Sequence, residues 1–395
     1  MSKNIDVVVI GGGYAGVMAA NRVRQHDDVT VTVINPRSVF VPRLRLHQLV
    51  GGTHDAVVDY AEVLAEGVRL VVDSVTRIDA AGRSVTLAEG GTIGYDYLIY
   101  AAGSSGAGSR VPGAAEFAYP VATLEAARRL RSVLFDTPMT APVTVVGGGP
   151  TGIETAAELA ERGRTVTLVC GGVVGPYLHQ KARRTARQYL ADLGVSVVEG
   201  PDAAVVAVTG EAVELRDGQQ LASAVTIWTA GFDVPDLADR SGLRTDAAGR
   251  LLTDETLTSV DDERIIAAGD SSAPSGLPFR MSAYTAYSLG AHAADTVLHR
   301  IAGEQPTPID LAFPAMCLSF GRDAGIYQLG HKDETAMRLY LSGFAGKKLK
   351  EFACEAGIKH LAREARKPGS HRWFKDGKYR PQLLAQPSDA PTPLA

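Results

Sequence analysis

Sulfur is scarce in this chain. Cys170, Cys317 and Cys354 are the three cysteines among 395 residues, they stand far apart, and no CxxC, CxxxxC or metal-type His spacing accompanies them. That spacing speaks against a dithiol relay, a cysteine metal site and a disulfide framework, and the expected compartment is a reducing cytosol. Long apolar runs are missing as well. No stretch approaches the roughly 18 unbroken apolar residues that crossing a bilayer requires, so any membrane contact would be made from the surface. Met1 to Asp6 runs straight into a strand-like pattern, and no export signal is expected. Nor is one sign of charge in excess: forty Lys and Arg face forty-four Asp and Glu, a formal net charge of −4 that leaves no footprint for a nucleic-acid partner. The balance hides a gradient. Residues 331–380 hold thirteen Lys/Arg against six Asp/Glu, a local +7 that leaves −11 on the remainder.

Glycine, by contrast, is plentiful and patterned. Asp6 to Ile10 reads as a short buried strand closed by Gly11, Gly13 and Gly16 and followed by a helical run, Val17 to Val23. The unit recurs: Val143 to Val146 is a strand, closed by Gly147, Gly149 and Gly152 and followed by a helical run, Ile153 to Glu161. In such a turn the first glycine lets the strand reverse, the second lets a diphosphate approach the backbone, and the third brings helix against strand. The helix N-terminus then faces the anion. One such turn is weak evidence; two in strand-turn-helix context point to a pair of bound dinucleotides.

Each unit leads to a strand where a ribose-reading residue is expected, Thr30 to Asn35 and Thr165 to Cys170, and neither ends in a carboxylate. Asn35 can bond ribose hydroxyls through its amide. Cys170, with Gly171 and Gly172, offers neither an acid that prefers NADH nor an Arg for the 2′-phosphate of NADPH, so the choice of nicotinamide stays open. A β-meander is expected after each unit, over Val68 to Leu87 and Val195 to Leu215, and then a buried strand ending in small residues, Tyr97 to Gly103 and Val225 to Gly231. A third strand, within Thr258 to Asp270, delivers Asp270 beside Gly269, either as a helix N-cap or as a cofactor contact.

These residues resemble the two-dinucleotide-binding-domain flavoproteins, among them the disulfide reductases, ferredoxin reductases and type II NADH dehydrogenases, over about residues 5–305. The resemblance implies an α/β fold: two Rossmann-like, three-layer dinucleotide-binding domains with β-meanders, plus a carboxyl-terminal α+β extension. Its boundaries fall at 1–112 and 232–310 for FAD, 113–231 for NAD(P)H, 311–380 for the extension and 381–395 for a disordered tail. It further implies that Gly11, Gly13, Tyr14, Ala15, Gly16, Asn35 and Pro36 hold the ADP part of FAD. Asp270, with Gly269, lies by its ribityl or phosphate, and Arg43, Val75, Ala102, Gly103 and Ala283 complete the cofactor's surroundings. Gly147, Gly149, Pro150, Thr151, Gly152, Ala230 and Gly231 are implied for NAD(P)H, and Glu154 for the position facing flavin and nicotinamide.

Disulfide reductases carry redox cysteines soon after the second strand of the FAD unit, where this chain reads Phe40-Val41-Pro42-Arg43-Leu44-Arg45-Leu46-His47. Thiol chemistry, including a sulfide or peroxide reductase working through Cys170 or Cys317, is therefore disfavoured. The nearest likeness is to type II NADH dehydrogenases and apoptosis-inducing-factor-like quinone reductases. In their Ala-Gln-x-Ala-x-Gln-x-Gly helix both glutamines are replaced here, by Tyr284 and Ser288, in a helix expected over Met281 to Arg300. Tyr284 or Tyr287 is then a candidate to stack on an aromatic acceptor, or else packs under the isoalloxazine. The expected activity is hydride transfer from NAD(P)H to flavin, with electrons passed to a quinone or quinone-like acceptor. A soluble reductase or oxidase serving a protein partner, dioxygen or a small aromatic metabolite is the alternative, and a non-catalytic NAD(P)H sensor a third. Arg43, Arg45 and His47 read best as a solvated or phosphate-facing loop. Leu339 to Arg366 reads as a basic helix or helix pair, suited to the inner face of a membrane or to a lid or homodimer contact.

Overall fold

The structure, a computed structural model, describes residues 4–106 and 110–385. Two five-stranded sheets, each wholly parallel, organise it. The first runs Ile265–Ala267, Tyr97–Tyr100, Ile5–Ile10, Val29–Asn35, Arg69–Val72 from edge to edge. The second runs Ala118–Pro120, Val225–Trp228, Val143–Val146, Val166–Cys170, Ser196–Glu199. Valine and isoleucine fill the central strands because both faces of each sheet are covered, one by helices and the other by a β-meander, and such strands read as continuous apolar runs. Each central strand feeds a glycine turn and a helix, Tyr14–Val23 in the first unit and Pro150–Glu161 in the second. The chain crosses between units twice, at Ser105–Gly106 and Phe232–Asp233, and these two crossings pair antiparallel with each other.

The meanders lie slightly later than their alternation predicts. Arg69–Val72 is the edge strand of the first sheet, and the three-stranded meander spans Val75–Asp79, Ser84–Leu87 and Thr92–Gly94. Likewise Ser196–Glu199 joins the second parallel sheet, and the meander there is Val205–Val208, Ala212–Leu215 and Gln220–Ala222. A half-exposed parallel edge strand has the same period of two as a meander strand, so the pattern alone does not separate them.

The helix Ala283–Ile301 lies along Tyr14–Val23, and its Gly290 makes the fit possible: a Cβ there would overlap the Ala15 carbonyl oxygen. Beyond it an antiparallel sheet, Ala315–Phe320, Ala324–Gly330 and Ala336–Ser342, carries a single long helix, Gly343–Arg366. Leu339 to Ser342 is therefore strand rather than helix. The helix presses on Ala324–Gly330 and on Tyr14–Val23. Past Pro381 the chain is still ordered, since Tyr379–Leu384 is helical and Arg380 is buried against Glu255, 2.5 Å away. Of the tail expected over 381–395, residues 386–395 fall outside the described residues.

Candidate active site

At the first glycine turn the sterics are those of a diphosphate cradle. A Cβ on Gly11 would strike the Ala101 carbonyl and one on Gly16 the Gly11 carbonyl, so strand and helix close to a distance only glycine allows. Gly13, between them, would meet nothing within 4 Å. The cradle thus opens at the helix N-terminus, where unpaired amides favour an anion, and the residues fit an FAD diphosphate. Asn35 does not aim its amide outward. Its Oδ1 accepts from the Gly12 N–H at 3.0 Å and its Nδ2 donates to the Arg37 carbonyl at 2.8 Å, so it shapes the turn and the bend through Pro36. Tyr60, which the sequence did not single out, donates from its hydroxyl to the Gly12 carbonyl at 2.8 Å and fixes the other side.

Three segments converge next to this cradle. Asp270 Oδ2 accepts from Ser104 Oγ at 2.6 Å, Arg43 Nη1 donates to the same Ser104 Oγ at 3.1 Å, and Arg43 stands 3.6 Å from Asp270. Asp270 is no N-cap: it lies in the short 3-10 turn Gly269–Ser271, and Ser282 caps the helix that opens at Ala283. Gly103 donates its N–H to Ser271 Oγ at 3.2 Å, which ties the strand end at Ala102 to the same turn. Ser104 was not among the expected residues; its hydroxyl had no local signal. Val75 opens the meander and packs into the core beneath the first sheet.

Glu154 is buried at 6 % exposure, two residues past Gly152. Its Oε1 accepts from the Ser319 N–H at 2.9 Å and from Ser319 Oγ at 3.1 Å, and Lys350 Nζ, from the long carboxyl-terminal helix, stands 2.7 Å away. Burial works against its charge, but Lys350 and the neighbouring hydrogen bonds outweigh burial and hold the carboxyl below the ordinary range. Lys350 is held protonated by Glu154 in spite of its own burial. His47 places Nδ1 3.8 Å from Glu154 Oε2, and burial pushes its pKa down to about 4. It is therefore a neutral, buried ring rather than part of a solvated loop. Arg45 is likewise engaged, donating to Gln48 and to Glu351. The Nε2 atoms of His47 and Gln48 and the Tyr14 hydroxyl are buried without a hydrogen-bond partner among the described residues.

The second glycine turn repeats the first. A Cβ on Gly152 would overlap the Gly147 carbonyl, Gly149 faces open space, and Pro150 opens the helix with Thr151 exposed behind it. Thr229 Oγ1 donates to the Val146 carbonyl at 2.8 Å, bracing Ala230 and Gly231 beside the turn. Ala230 also accepts from Trp228 Nε1 at 2.8 Å. Cys170 is turned under the glycines, close to Gly148, and burial raises its thiol to about 12, so it is inert packing.

Tyr284 belongs to a separate aromatic wall. Its ring meets Tyr287 at 5.6 Å, Phe313 at 6.1 Å and Phe374 at 6.5 Å, and its hydroxyl accepts from the Phe374 N–H at 2.9 Å. Tyr287 in turn packs on Tyr14, which meets Phe40 edge-on at 5.1 Å.

The pyridine nucleotide-disulphide oxidoreductase family model matches residues 5–290. An NADH dehydrogenase-like protein of Mycobacterium tuberculosis is 34% identical over 289 residues, covering 67% of this chain and 72% of that one. A type II NADH:quinone oxidoreductase of Staphylococcus haemolyticus is 25% identical over 371 residues, covering 84% and 91%. The structure of NDH2 from Plasmodium falciparum in complex with NADH superposes with a TM-score of 0.77 over 93% of this chain and 99% of that one, at 16% identity, a likeness of fold. Twin open glycine turns on twin parallel sheets therefore have a family to sit in: this chain belongs to the pyridine nucleotide-disulphide oxidoreductases, as an oxidoreductase that uses FAD and NAD(P)H.

Proposed function

We propose that hydride leaves NADH or NADPH held on the second glycine turn, reaches FAD held on the first, and that the electrons pass on to a quinone or quinone-like acceptor. Bound isoalloxazine supplies the redox chemistry. The chain supplies position, dryness and fixed charge. Gly13 and the helix behind it receive the FAD diphosphate, and the Arg43, Ser104 and Asp270 cluster offers donors and an acceptor to the polar chain between diphosphate and ring. The observation that carries the reading is Glu154, a buried carboxylate two residues beyond the nicotinamide turn, held by Lys350 from the carboxyl-terminal helix. A charge fixed there is preorganised, because no solvent has to rearrange when charge moves nearby.

In this reading residues 1–112 and 232–310 hold FAD and residues 113–231 hold NAD(P)H; the paired crossings at Ser105–Gly106 and Phe232–Asp233 support that division. A staphylococcal relative named for NADH:quinone oxidoreduction supports the acceptor. So does an outer surface carrying Leu339, Leu341, Phe344 and Phe352 exposed, with Lys348 set 5.2 Å over the Phe344 ring. Apolar groups among cations suit reversible contact with an anionic leaflet, where quinones dissolve. No helix among the described residues is long and apolar enough to cross a membrane.

Anaerobic stopped-flow tests the proposal. NAD(P)H bleaches the flavin band, and a menaquinone analogue restores it faster than air-saturated buffer does. Reoxidation by quinone no faster than by dioxygen removes the quinone from the reading, and bleaching without turnover leaves a sensor.

A further inference from the structure

The ribose-reading position of a dinucleotide fold lies at the end of its second strand, about 20 residues after the glycine turn, and a carboxylate there rewards the 2′-hydroxyl of NADH and repels the 2′-phosphate of NADPH. Here that strand, Val166–Cys170, ends in a buried neutral thiol tucked beneath Gly148. Gly171 and Gly172 follow, both exposed, and a Cβ on Gly172 would meet nothing within 4 Å. The turn is nevertheless firm, because the Gly200 N–H donates to the Gly172 carbonyl at 2.7 Å and the Val174 N–H to Glu199 Oε1 at 2.6 Å.

Glu199 is the acid in register beside Cys170, at the end of the adjoining strand. Its charge is already spent. Arg187 grips it through Nε at 2.6 Å and Nη2 at 2.9 Å, a bidentate pair that holds the carboxyl below its ordinary range. The helix carrying Arg187, Gln180–Asp192, also presents Lys181, Arg183 and Arg184 and has no acid before Asp192. Arg183 lies one turn before Arg187 on the same face of that helix, and its buried Nε has no hydrogen-bond partner among the described residues.

Resting on the nicotinamide reading of this turn, we infer that the second fold accepts the 2′-phosphate of NADPH at least as well as the 2′-hydroxyl of NADH, with Arg183 as the group that receives the phosphate. The acid that would refuse it is missing, the neighbouring acid is neutralised, and the remaining N–H groups of the Arg183 fork match a phosphate's geometry.

Calorimetry on the FAD-loaded full chain, with 2′,5′-ADP and 5′-AMP as probes, reads the pocket without turnover. The expected result is binding of 2′,5′-ADP at least as tight as that of 5′-AMP, and loss of any advantage in Arg183→Met. In steady-state assays the ratio of kcat/KM for NADPH to that for NADH starts at or above about one and falls roughly tenfold in Arg183→Met. Gly172→Asp, which puts a carboxylate into open space, lowers the same ratio. Tighter binding of 5′-AMP with NADH favoured more than about tenfold overturns the inference, as does an Arg183→Met that weakens both nucleotides equally. If 2′,5′-ADP binds as expected but neither nucleotide bleaches the flavin, the pocket stands and the redox reading falls.

Discussion

Lys350 Nζ lies 2.7 Å from Glu154 Oε1, with the two side chains only 4 % and 7 % exposed, so the last long helix reaches into the fold to hold a carboxylate carried by the second dinucleotide unit. Removing one partner of a buried pair leaves an uncompensated charge, at a cost of about 3–5 kcal/mol. Lys350→Met should therefore lower the urea midpoint sharply. Adding Glu154→Gln should recover much of the loss, since the stranded carboxylate is gone. Equal midpoints for wild type and Lys350→Met would show that the pair is not formed.

The second and third glycines of the first turn should fail differently. Gly16→Ala places a methyl on the Gly11 carbonyl and should yield little folded protein. Gly13→Ala adds its methyl in open space where the diphosphate would lie, so it should fold and purify with much less FAD. Flavin-to-protein absorbance and a melting curve separate the two. Full FAD content in folded Gly13→Ala would place the diphosphate elsewhere.

Acid should weaken the fold through three histidines. Burial pushes His47 and His292 down to about 4 and His371 to about 3, from an ordinary 6.5. Below pH 6.5 the unfolded chain takes up these protons while the folded chain declines them, so stability is full above that value and drains away as pH falls toward 4. About 2 kcal/mol per ring should be missing by pH 5. His371→Gln should flatten the slope between pH 7 and 5, and a wild-type profile already flat there would contradict the neutral, buried assignment.

Charging the outer apolar surface should release the protein from vesicles without unfolding it. Phe344→Glu with Phe352→Glu alters two side chains that are each 65 % exposed. Co-sedimentation with vesicles rich in anionic lipid should drop while the melting temperature holds. Unchanged pelleting would exclude this surface as the contact.

The glycine turns were legible in advance because their requirement is local: Gly11 and Gly16 touch within five residues, and the chemistry follows from spacing. Asp270 was legible as a strand-end carboxylate, although its partners Ser104 and Arg43 were not, since they arrive from segments 166 and 227 residues away by numbering. Lys350 stood hidden in a basic stretch most of whose cations face outward, and nothing in the pattern marks one lysine as buried. Asn35 was legible as a polar strand end, yet its amide serves Gly12 and Arg37, a turn geometry no side-chain inventory reveals. His47 misled because a short histidine-and-arginine stretch resembles a wet loop until helix Leu46–Gly51 is packed.

Gly346 and Gly357 look from the sequence like breaks in the apolar face of the long carboxyl-terminal helix. In the fold they are its points of closest approach: a Cβ on Gly346 would overlap the Gly325 carbonyl, and one on Gly357 would crowd the Tyr14 ring at 3.1 Å. A rod seated so flush cannot be cut away as a detachable anchor, because trimming it would uncover Tyr14 and strand Glu154. Whoever wants a fully water-loving version of this enzyme must repaint its outside and keep its length.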